Sequence, residues 1–125
     1  MIIGTGIDIT DIARLKRAID RNGDRFLKRV FTERELSFCR KRKEFHQHIA
    51  ARFAAKEAAM KALSTGWNSD IRWKDIEVMT NKAGAPSLLF SGKAERLFKK
   101  MGGTKAHLSL SHLKDLAAAS VILES

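Results

Sequence analysis

The sequence predicts an α+β protein in which a small antiparallel sheet packs with a long central helix. Three observations support this prediction. Residues 2–10 alternate with the period of a strand, residues 46–63 have the length and alanine content of a long helix, and residues 105–124 form two strand-like segments joined by a turn. The chain has 125 residues, so we expect one domain over residues 1–125.

The composition limits the classes of protein to which the chain can belong. The formal net charge of +10 favours an anionic partner, which can be nucleic acid, a phosphorylated ligand or an acidic protein. The single cysteine, Cys39, excludes an internal disulfide framework, and we expect a partly buried thiol rather than a nucleophile. No apolar run approaches the ~20 residues that span a bilayer, and the first residues lack the pattern of a secretion signal. We therefore expect a soluble, cytoplasmic protein.

The first predicted strand, MIIGTGIDIT, has one face that carries almost no side chains. Because side chains alternate along a strand, Gly4, Gly6 and Asp8 share that face. The opposite face carries Ile3, Thr5, Ile7 and Ile9. The two glycines allow another element to approach the backbone closely, which leaves Asp8 as an isolated carboxylate at that contact. A helix-capping aspartate is the alternative, and it suits Asp11 better than Asp8.

Helical segments follow the first strand. The segment DIARLKRAIDR is amphipathic, with an apolar stripe of Ile12, Leu15 and Ile19. Arginines lie along one side of it at spacings of three and four: Arg14, Arg17 and Arg21. A solvated basic face is the ordinary interpretation, but this arginine stripe favours an anionic docking partner, and Arg25 extends it unless Gly23 breaks the helix. The next helix begins at a predicted capping box of Thr32 and Glu35.

The central helix, over about 46–63, carries signals for both packing and chemistry. Six alanines fall in one sector and suit close packing on another element: Ala51, Ala54, Ala55, Ala58, Ala59 and Ala62. Glu57 and Lys61 are neighbours at i,i+4, so an ordinary surface ion pair is one interpretation. The other is that Arg52, Lys56 and Lys61 surround Glu57 with positive charge that suits phosphate oxygens.

The remaining segments predict a hairpin, a helix and a second pair of strands. Gly66 ends the central helix in a loop, and residues 71–80 and 86–92 form a hairpin around the turn NKAGAP. A short basic helix follows, with Leu97 and Phe98 inward. In KAHLSLSH, one face carries Ala106, Leu108 and Leu110 and the other carries His107, Ser109 and Ser111. The polar face is either solvated or part of a phosphate site, and a Ser–His hydrolase is disfavoured because the sequence has no nucleophile elbow.

Two hard-metal ligands, Asp8 and Glu57, lie on separate predicted elements. Proteins usually hold Mg²⁺ with a few carboxylates together with substrate phosphates. With the cations around Glu57, this set predicts a magnesium-dependent, phosphoryl-type transfer on a phosphate-rich small molecule. The sequence contains neither a Walker loop nor a kinase-type glycine loop, so an ordinary nucleoside triphosphatase is disfavoured.

Four motifs occur in the order GTGIDIT, FTERE, RFAAKEAAMKAL and HLSLSH, with WKDIEV and NKAGAP between the last two. In this order they resemble the 4′-phosphopantetheinyl transferases, and most of all the small stand-alone bacterial type. The resemblance covers nearly the whole chain and weakens at the segment WNSDIR. It implies the family's fold and its reaction. The phosphopantetheine arm of coenzyme A moves to a serine of an apo acyl carrier protein, in fatty acid biosynthesis, and adenosine 3′,5′-bisphosphate is released.

The resemblance also implies roles for individual residues. Asp8 and Glu57 match the family's metal-binding acids, and Lys61 matches a lysine that would neutralise charge on the transferred and leaving phosphates. The residues matched to coenzyme A contacts are Arg52, Lys56, Lys61, Ser109, Ser111 and His112. The group that takes the serine proton is left open between Glu57 and a water on the metal.

The resemblance gives the basic helix a partner as well. Carrier proteins of this kind are acidic, and the family docks them where Arg14, Arg17 and Arg21 lie, so electrostatic steering would favour the encounter. Small members of the family are homotrimers with active sites between subunits, which would let Arg14 act on a neighbour's site. Two other interpretations compete: a small basic nucleic-acid-binding protein, which leaves Asp8 unexplained, and a structural subunit with an ordinary Glu57–Lys61 pair. We expect neither nucleic acid nor membrane among the partners.

Overall fold

Two antiparallel sheets and a long helix form the architecture of the protein in the computed structural model, which describes residues 1–63 and 70–125. The strands are β1 (Ile2–Asp11), β2 (Ile76–Thr80), β3 (Pro86–Phe90), β4 (Lys105–His112) and β5 (Leu116–Glu124). The helices are α1 (Ile12–Asn22), α2 (Asp24–Val30), α3 (Glu33–Arg40), α4 (Phe45–Ala62) and α5 (Gly92–Lys100), with a 3-10 turn at Trp73–Asp75. The loop expected at Gly66 lies outside the described residues. Within those residues, no helix is long and apolar enough to cross a membrane.

The larger sheet has the strand order β1-β5-β4, and the smaller sheet is the hairpin of β2 and β3. Every described strand pair is antiparallel. In the central strand β5, Ala119 lies opposite Asp8 of β1 on one side and Leu110 of β4 on the other. The predicted α+β class, with its antiparallel sheet and long central helix, is confirmed.

Helix α4 packs on β1 at backbone distance because β1 presents glycines to it. A Cβ atom on Gly4 would collide with the carbonyl group of Ala62, and one on Gly6 would collide with that of Ala58. The buried side of α4 is the predicted alanine sector, and its fully buried members include Ala54, Ala55, Ala58, Ala59 and Ala62. The element that the glycine-cleared face was expected to receive is therefore α4.

A β-bulge separates Ile3 from the other isoleucines of β1. Between Ile2 and Gly4 the register with β5 shifts by one residue. Ile3 consequently packs against the core, whereas Ile7 and Ile9 are each 65% exposed. The expectation that Ile3 shares their face was wrong, because strict alternation breaks at a bulge.

The predicted helix caps are present in the first part of the chain. The carboxylate of Asp11 accepts a hydrogen bond at 3.1 Å from a backbone N–H in the first turn of α1. Helix α1 ends at Gly23, whose φ of 56° favours glycine, so Arg25 belongs to α2 and does not extend the α1 stripe. Thr32 and Glu35 form the predicted capping box at the start of α3.

The strand β4 shows the predicted alternation. Its core-facing residues are Ala106, Leu108 and Leu110, and its exposed residues are His107, Ser109 and Ser111. Leu97 and Phe98 of α5 pack against the same core, as expected. The polar face of β4 is therefore available to solvent or to a ligand.

Cys39 lies in the core rather than at a site. Its side chain is fully buried in the cluster formed by α1, α2, α3 and α4. Burial raises the pKa of the thiol to about 11, so the thiolate needed for nucleophilic attack is scarce at neutral pH. The thiol is more deeply buried than the sequence suggested.

Candidate active site

Asp8 and Glu57 lie close together because β1 and α4 run side by side and contact each other at nearly equal intervals. The two glycines of β1 lie two residues apart, and they face carbonyl groups of α4 that lie four residues apart. These steps are nearly equal in length, about 7 Å along a strand and about 6 Å along a helix. The next step along β1 therefore brings Asp8 to the part of α4 that holds Glu57, and both side chains line the same cleft.

The pair has the electrostatics of two acids held close together. Burial raises the pKa of Glu57 above its ordinary value, and the charge and hydrogen bond of Asp8 raise it further, while Lys61 acts in the opposite direction. The hydroxyl of Thr10 donates a hydrogen bond to Oδ2 of Asp8 at 3.4 Å. Two carboxylates in this position repel each other when both are charged, and a bound cation would relieve that repulsion.

Lys61 joins the two acids from the following turn of α4. Its Nζ lies 3.1 Å from Oδ1 of Asp8 and 3.0 Å from the carbonyl oxygen of Ile7. The ordinary surface interpretation paired Lys61 with Glu57, but the ion pair in the structure joins Lys61 to Asp8. The lysine side chain is 57% exposed and lines a neighbouring pocket with Thr5 and Ile7, so its ammonium is accessible from outside the protein beside Asp8.

An open cleft of about 500 Å³ adjoins the two acids. Its polar lining residues are Asp8, Thr10, Asp11, Arg14 and Glu57. Its apolar lining residues are Ile9, Leu15, Ala18, Phe26, Phe53 and Leu116. A lining that combines carboxylates with aromatic and aliphatic side chains suits a ligand that has both a charged and an apolar part.

The donor set fits a shared magnesium site. Carboxylate oxygens are the hard ligands that Mg²⁺ prefers, and Mg²⁺ usually takes one or two carboxylates from the protein with the remaining ligands from substrate phosphates and water. Asp8 and Glu57 provide those two carboxylates. Within residues 1–63 and 70–125, no group of three or more His, Cys, Asp or Glu side chains could hold a metal ion alone. The residues therefore fit an ion that a phosphate substrate completes.

A second pocket, of about 310 Å³, holds several of the other predicted residues. Its lining includes Arg52, Ser109 and His112, but not Ser111. Arg52 is buried, and its guanidinium donates to the hydroxyl of Thr80 at 2.9 Å. Its Nε has no hydrogen-bond partner among the described residues. An arginine held with a spare buried donor beside a pocket suits an anionic ligand group.

His48, which was not predicted to belong to a site, also lines this pocket, and Arg42 stacks on Phe38 in its wall. The rings of His48 and His112 lie 6.1 Å apart, and the guanidinium of Arg42 lies 3.3 Å from the ring centroid of Phe38. Burial and the charges of Arg52 and Arg42 lower the pKa of His48. The signal for His48 was its spacing, since it lies four residues before Arg52 on the same face of α4.

Lys56 does not lie with the phosphate-binding set expected from the sequence. Its side chain is fully buried, and its Nζ lies 2.8 Å from Oε1 of Glu35. Two backbone carbonyl groups, those of Trp73 and Ile76, accept its other hydrogen bonds. The sequence could not show this because the partner, Glu35, comes from α3, far from α4 in the chain. Lys56 therefore holds a structural position instead of the expected phosphate contact.

The arginines of α1 lie on the outside of the cleft. Arg14, Arg17 and Arg21 are all exposed, and Arg14 also lines the cleft near the two acids. The stripe therefore lies on the exposed surface of α1 and reaches the cleft at Arg14. That arrangement suits an acidic macromolecule that must present one group to the site.

Comparison with known proteins identifies the family of this chain. Residues 4–121 match the model of the 4′-phosphopantetheinyl transferase superfamily. The chain belongs to this superfamily. The match includes the first strand with Asp8, the central helix with Glu57, and most of the final strand pair, so the members of the candidate site all lie within it.

Individual relatives cover all or nearly all of the chain. It is 48% identical over 124 residues to the holo-[acyl-carrier-protein] synthase of Koribacter versatilis (strain Ellin345), which is 99% of each chain. It resembles the crystal structure of the Neisseria meningitidis holo-[acyl-carrier-protein] synthase with a TM-score of 0.90, 31% identity and full coverage of both chains. The Helicobacter pylori enzyme of the same name, solved in complex with coenzyme A, gives a TM-score of 0.84 and 30% identity over 96% of this chain and 99% of that one.

Proposed function

We propose that this protein transfers the 4′-phosphopantetheine group of coenzyme A to a serine of an apo acyl carrier protein, in fatty acid biosynthesis. The observation that carries the proposal is the meeting of Asp8 and Glu57 beside Lys61 in an open cleft. Membership of the superfamily and the likeness to a structure with coenzyme A bound support the choice of substrate.

The reaction needs one bond to form and one to break. The serine oxygen bonds to the phosphorus next to the pantetheine, the bond from that phosphorus to the bridging oxygen breaks, and adenosine 3′,5′-bisphosphate leaves. The serine proton passes to a base, for which Glu57 and water are the two candidates. Asp8 and Glu57 would hold Mg²⁺, which when bound supplies Lewis-acid stabilisation of the pyrophosphate charge.

Lys61 has the catalytic role of neutralising charge on the transferred and leaving phosphates. Its ammonium is accessible and forms an ion pair with Asp8. A phosphate oxygen that enters the cleft would compete with Asp8 for this ammonium. The exchange costs little side-chain rearrangement, because lysine is a point charge on a flexible stem.

The second pocket is proposed to hold phosphate groups of the coenzyme A nucleotide. Arg52, Ser109 and His112 line it, and Arg52 keeps a spare buried donor there. The family resemblance also implied that Lys56 contacts these phosphates, but its buried pair with Glu35 removes it from the proposed set. Arg52, which lines the pocket, is then the cation proposed to contact the anionic group.

The protein is proposed to be a homotrimer with active sites between subunits. Among the described residues, the cleft and the second pocket share no lining residue, although both use α4. One coenzyme A molecule that contacts both a cleft and a second pocket is therefore more easily bound between two copies of this chain. The sheet also exposes an apolar strip along β1 and β5, which comprises Ile2, Ile7, Ile9, Leu116 and Ile122. Apolar strips of this kind commonly mark protein interfaces.

The basic stripe of Arg14, Arg17 and Arg21 is proposed to dock the acidic carrier. The net charge of +10 would accelerate this encounter at low ionic strength. A nucleic-acid-binding protein would also use such a stripe, but it would have no use for Asp8 and Glu57. The cytoplasmic location expected from the sequence stays a prediction.

The test is a mass spectrum of an apo acyl carrier protein after incubation with this protein, coenzyme A and Mg²⁺. We expect the carrier mass to increase by one phosphopantetheine, and we expect EDTA to abolish the increase. Asp8→Asn and Glu57→Gln should abolish it as well, whereas Glu95→Gln, on the exposed surface of α5, should not. No mass increase with several folded apo carriers would refute the proposed function, and activity that survives EDTA would refute the metal requirement.

A further inference from the structure

Two adjacent residues of α4 point into different parts of the molecule. Glu57 enters the cleft, whereas the Lys56 side chain is fully buried on the side of α3 and β2. The Lys56 ammonium contacts one carboxylate oxygen of Glu35 and the carbonyl oxygens of Trp73 and Ile76. A lysine ammonium has three N–H donors, so every donor has an acceptor.

The partner carboxylate is equally well bound. Oε1 of Glu35 accepts the backbone N–H of Thr32 at 2.9 Å, and Oε2 accepts the backbone N–H of Val78 at 2.8 Å. Glu35 is 1% exposed. The pair therefore ties α4 to the start of α3 and to the backbone of β2 through directional hydrogen bonds.

Such a tie matters because most of the α4 interface is smooth. Seven of the ten buried residues of α4 are alanines, which pack closely but offer little shape that opposes rotation of the helix about its axis; the other three are Ile49, Arg52 and Lys56. A side chain about 6 Å from the helix axis moves about 1 Å when the helix rotates by 10°. A shift of that size in a catalytic group can reduce a rate by about 100-fold.

We propose that the buried Lys56–Glu35 pair is a positioning device, which sets the rotation of α4 and so holds Glu57 against Asp8. The inference rests on the proposed function, because the roles of Asp8 and Glu57 come from it. Lys56 is a positioning residue in this account, since its ammonium is fully buried and contacts protein groups. Loss of the pair then affects metal binding and turnover through Glu57. Coenzyme A binding in the second pocket is affected less, because Arg52 of the same helix is also held by its own hydrogen bond to Thr80.

The test compares Lys56→Met with Leu36→Ala as a matched control. Leu36 is fully buried on α3 beside Glu35, so its truncation destabilises the same region without touching the ammonium. Both variants are studied at a temperature at which circular dichroism shows them to be folded. Mn²⁺ binding is measured by electron paramagnetic resonance, and kcat and the KM for coenzyme A are measured in the transfer assay.

We expect Lys56→Met to weaken Mn²⁺ binding about tenfold and to lower kcat at least tenfold, with less than a threefold change in the KM for coenzyme A. Leu36→Ala should leave all three values close to those of the wild type. Equal Mn²⁺ affinity and kcat in the two variants would overturn the inference. If Lys56→Met does not fold, Glu35→Gln replaces it under the same criterion, because it removes the partner charge and keeps a side-chain oxygen. Wild-type protein that neither transfers nor binds Mn²⁺ would refute the proposed function itself, which separates the two failures.

Discussion

The ammonium of Lys61 lies 3.1 Å from Oδ1 of Asp8, a residue 53 positions earlier in the chain. The same ammonium lies 3.0 Å from the carbonyl oxygen of Ile7, so β1 provides both of these partners. Glu57 reaches Asp8 from the same helix as Lys61, which makes the lysine and the two acids one charged cluster at the cleft. The proposed chemistry depends on exchange within this cluster, since a phosphate must draw the ammonium away from Asp8.

Replacement of the lysine should therefore affect turnover more than binding. Lys61→Met removes the positive charge and keeps most of the stem, and we expect kcat to fall by roughly 100-fold, the loss typical of one preorganised electrostatic group. The KM for coenzyme A should change by less than about fivefold, because the other phosphate contacts remain. Steady-state kinetics of carrier modification measure both values.

The matched control for this substitution is Lys99→Met. Lys99 forms an exposed i,i+4 pair with Glu95 on α5, and such surface pairs contribute little. The control should keep wild-type kinetics. A Lys61→Met variant with unchanged kcat would exclude a role for the ammonium in catalysis.

The close contact of β1 with α4 predicts a stability effect at Gly6. Gly6→Ala places a methyl group against the carbonyl of Ala58, and backbone atoms cannot move aside as a side chain can. We expect the free energy of unfolding to fall by about 3 kcal/mol, the upper end of overpacking costs. Thr5→Ala, at the exposed neighbouring position of β1, should change it by less than about 0.5 kcal/mol. Urea denaturation checks both, and equal effects would show that the contact is not rigid.

Local patterns explain why much of the fold was predictable. Alternation identified β4, the alanine sector identified the buried side of α4, and the capping box located the start of α3. Each of these signals depends on neighbouring residues in the chain. The bulge at Ile3 was not predictable, since it inserts one extra residue in β1 relative to its partner β5, and that pairing brings together the two ends of the chain.

The candidate site likewise contains residues that local patterns predict and residues whose positions depend on long-range contacts. Asp8 stood out because Gly4 and Gly6 precede it on the same face of β1. Its position beside Glu57 follows from the packing that those glycines allow. Lys56 was misplaced because its neighbours in the sequence suggest a basic cluster, whereas its burial depends on Glu35 of another helix. Long-range ion pairs leave no periodic signal in the sequence, and only the folded chain reveals them.

The lowered pKa of His48 predicts how stability depends on pH. Burial, Arg52 and Arg42 lower this pKa below its ordinary value of 6.5, so the unfolded chain binds the proton more readily than the folded protein does. Stability contributed by neutral His48 is therefore present above about pH 6.5 and is lost as the pH falls towards the folded pKa. The His48→Gln variant has no titratable group at this position. Its free energy of unfolding, relative to that of the wild type, should therefore be higher at pH 5 than at pH 8. Urea denaturation at both pH values measures this difference, and the same difference at both would contradict the prediction.

The exposed apolar strip on β1 and β5 predicts the effect of a charge within it. If the strip is the trimer interface, Ile7→Glu buries an unpaired carboxylate there, and the assembly should dissociate to the 14.0 kDa chain. Leu89→Glu is the control, because Leu89 is exposed on β3 of the other sheet. Light scattering after size-exclusion chromatography gives both masses. A monomeric wild type, or an Ile7→Glu variant that keeps its trimeric mass, would count against the proposed assembly.

The arginine stripe on α1 predicts that carrier recognition can be weakened without loss of coenzyme A binding. Arg14→Glu reverses a charge that is exposed beside the cleft, so we expect the KM for the carrier to rise by about tenfold or more and the KM for coenzyme A to change by less than about twofold. The carrier effect should shrink as salt is added, because exposed charges are screened. Lys28→Glu, on α2 and outside the stripe, makes the same change in net charge and controls for the overall field of the protein. Equal effects of Arg14→Glu on both substrates, or equal effects of the two variants on the carrier, would remove the docking role from this helix.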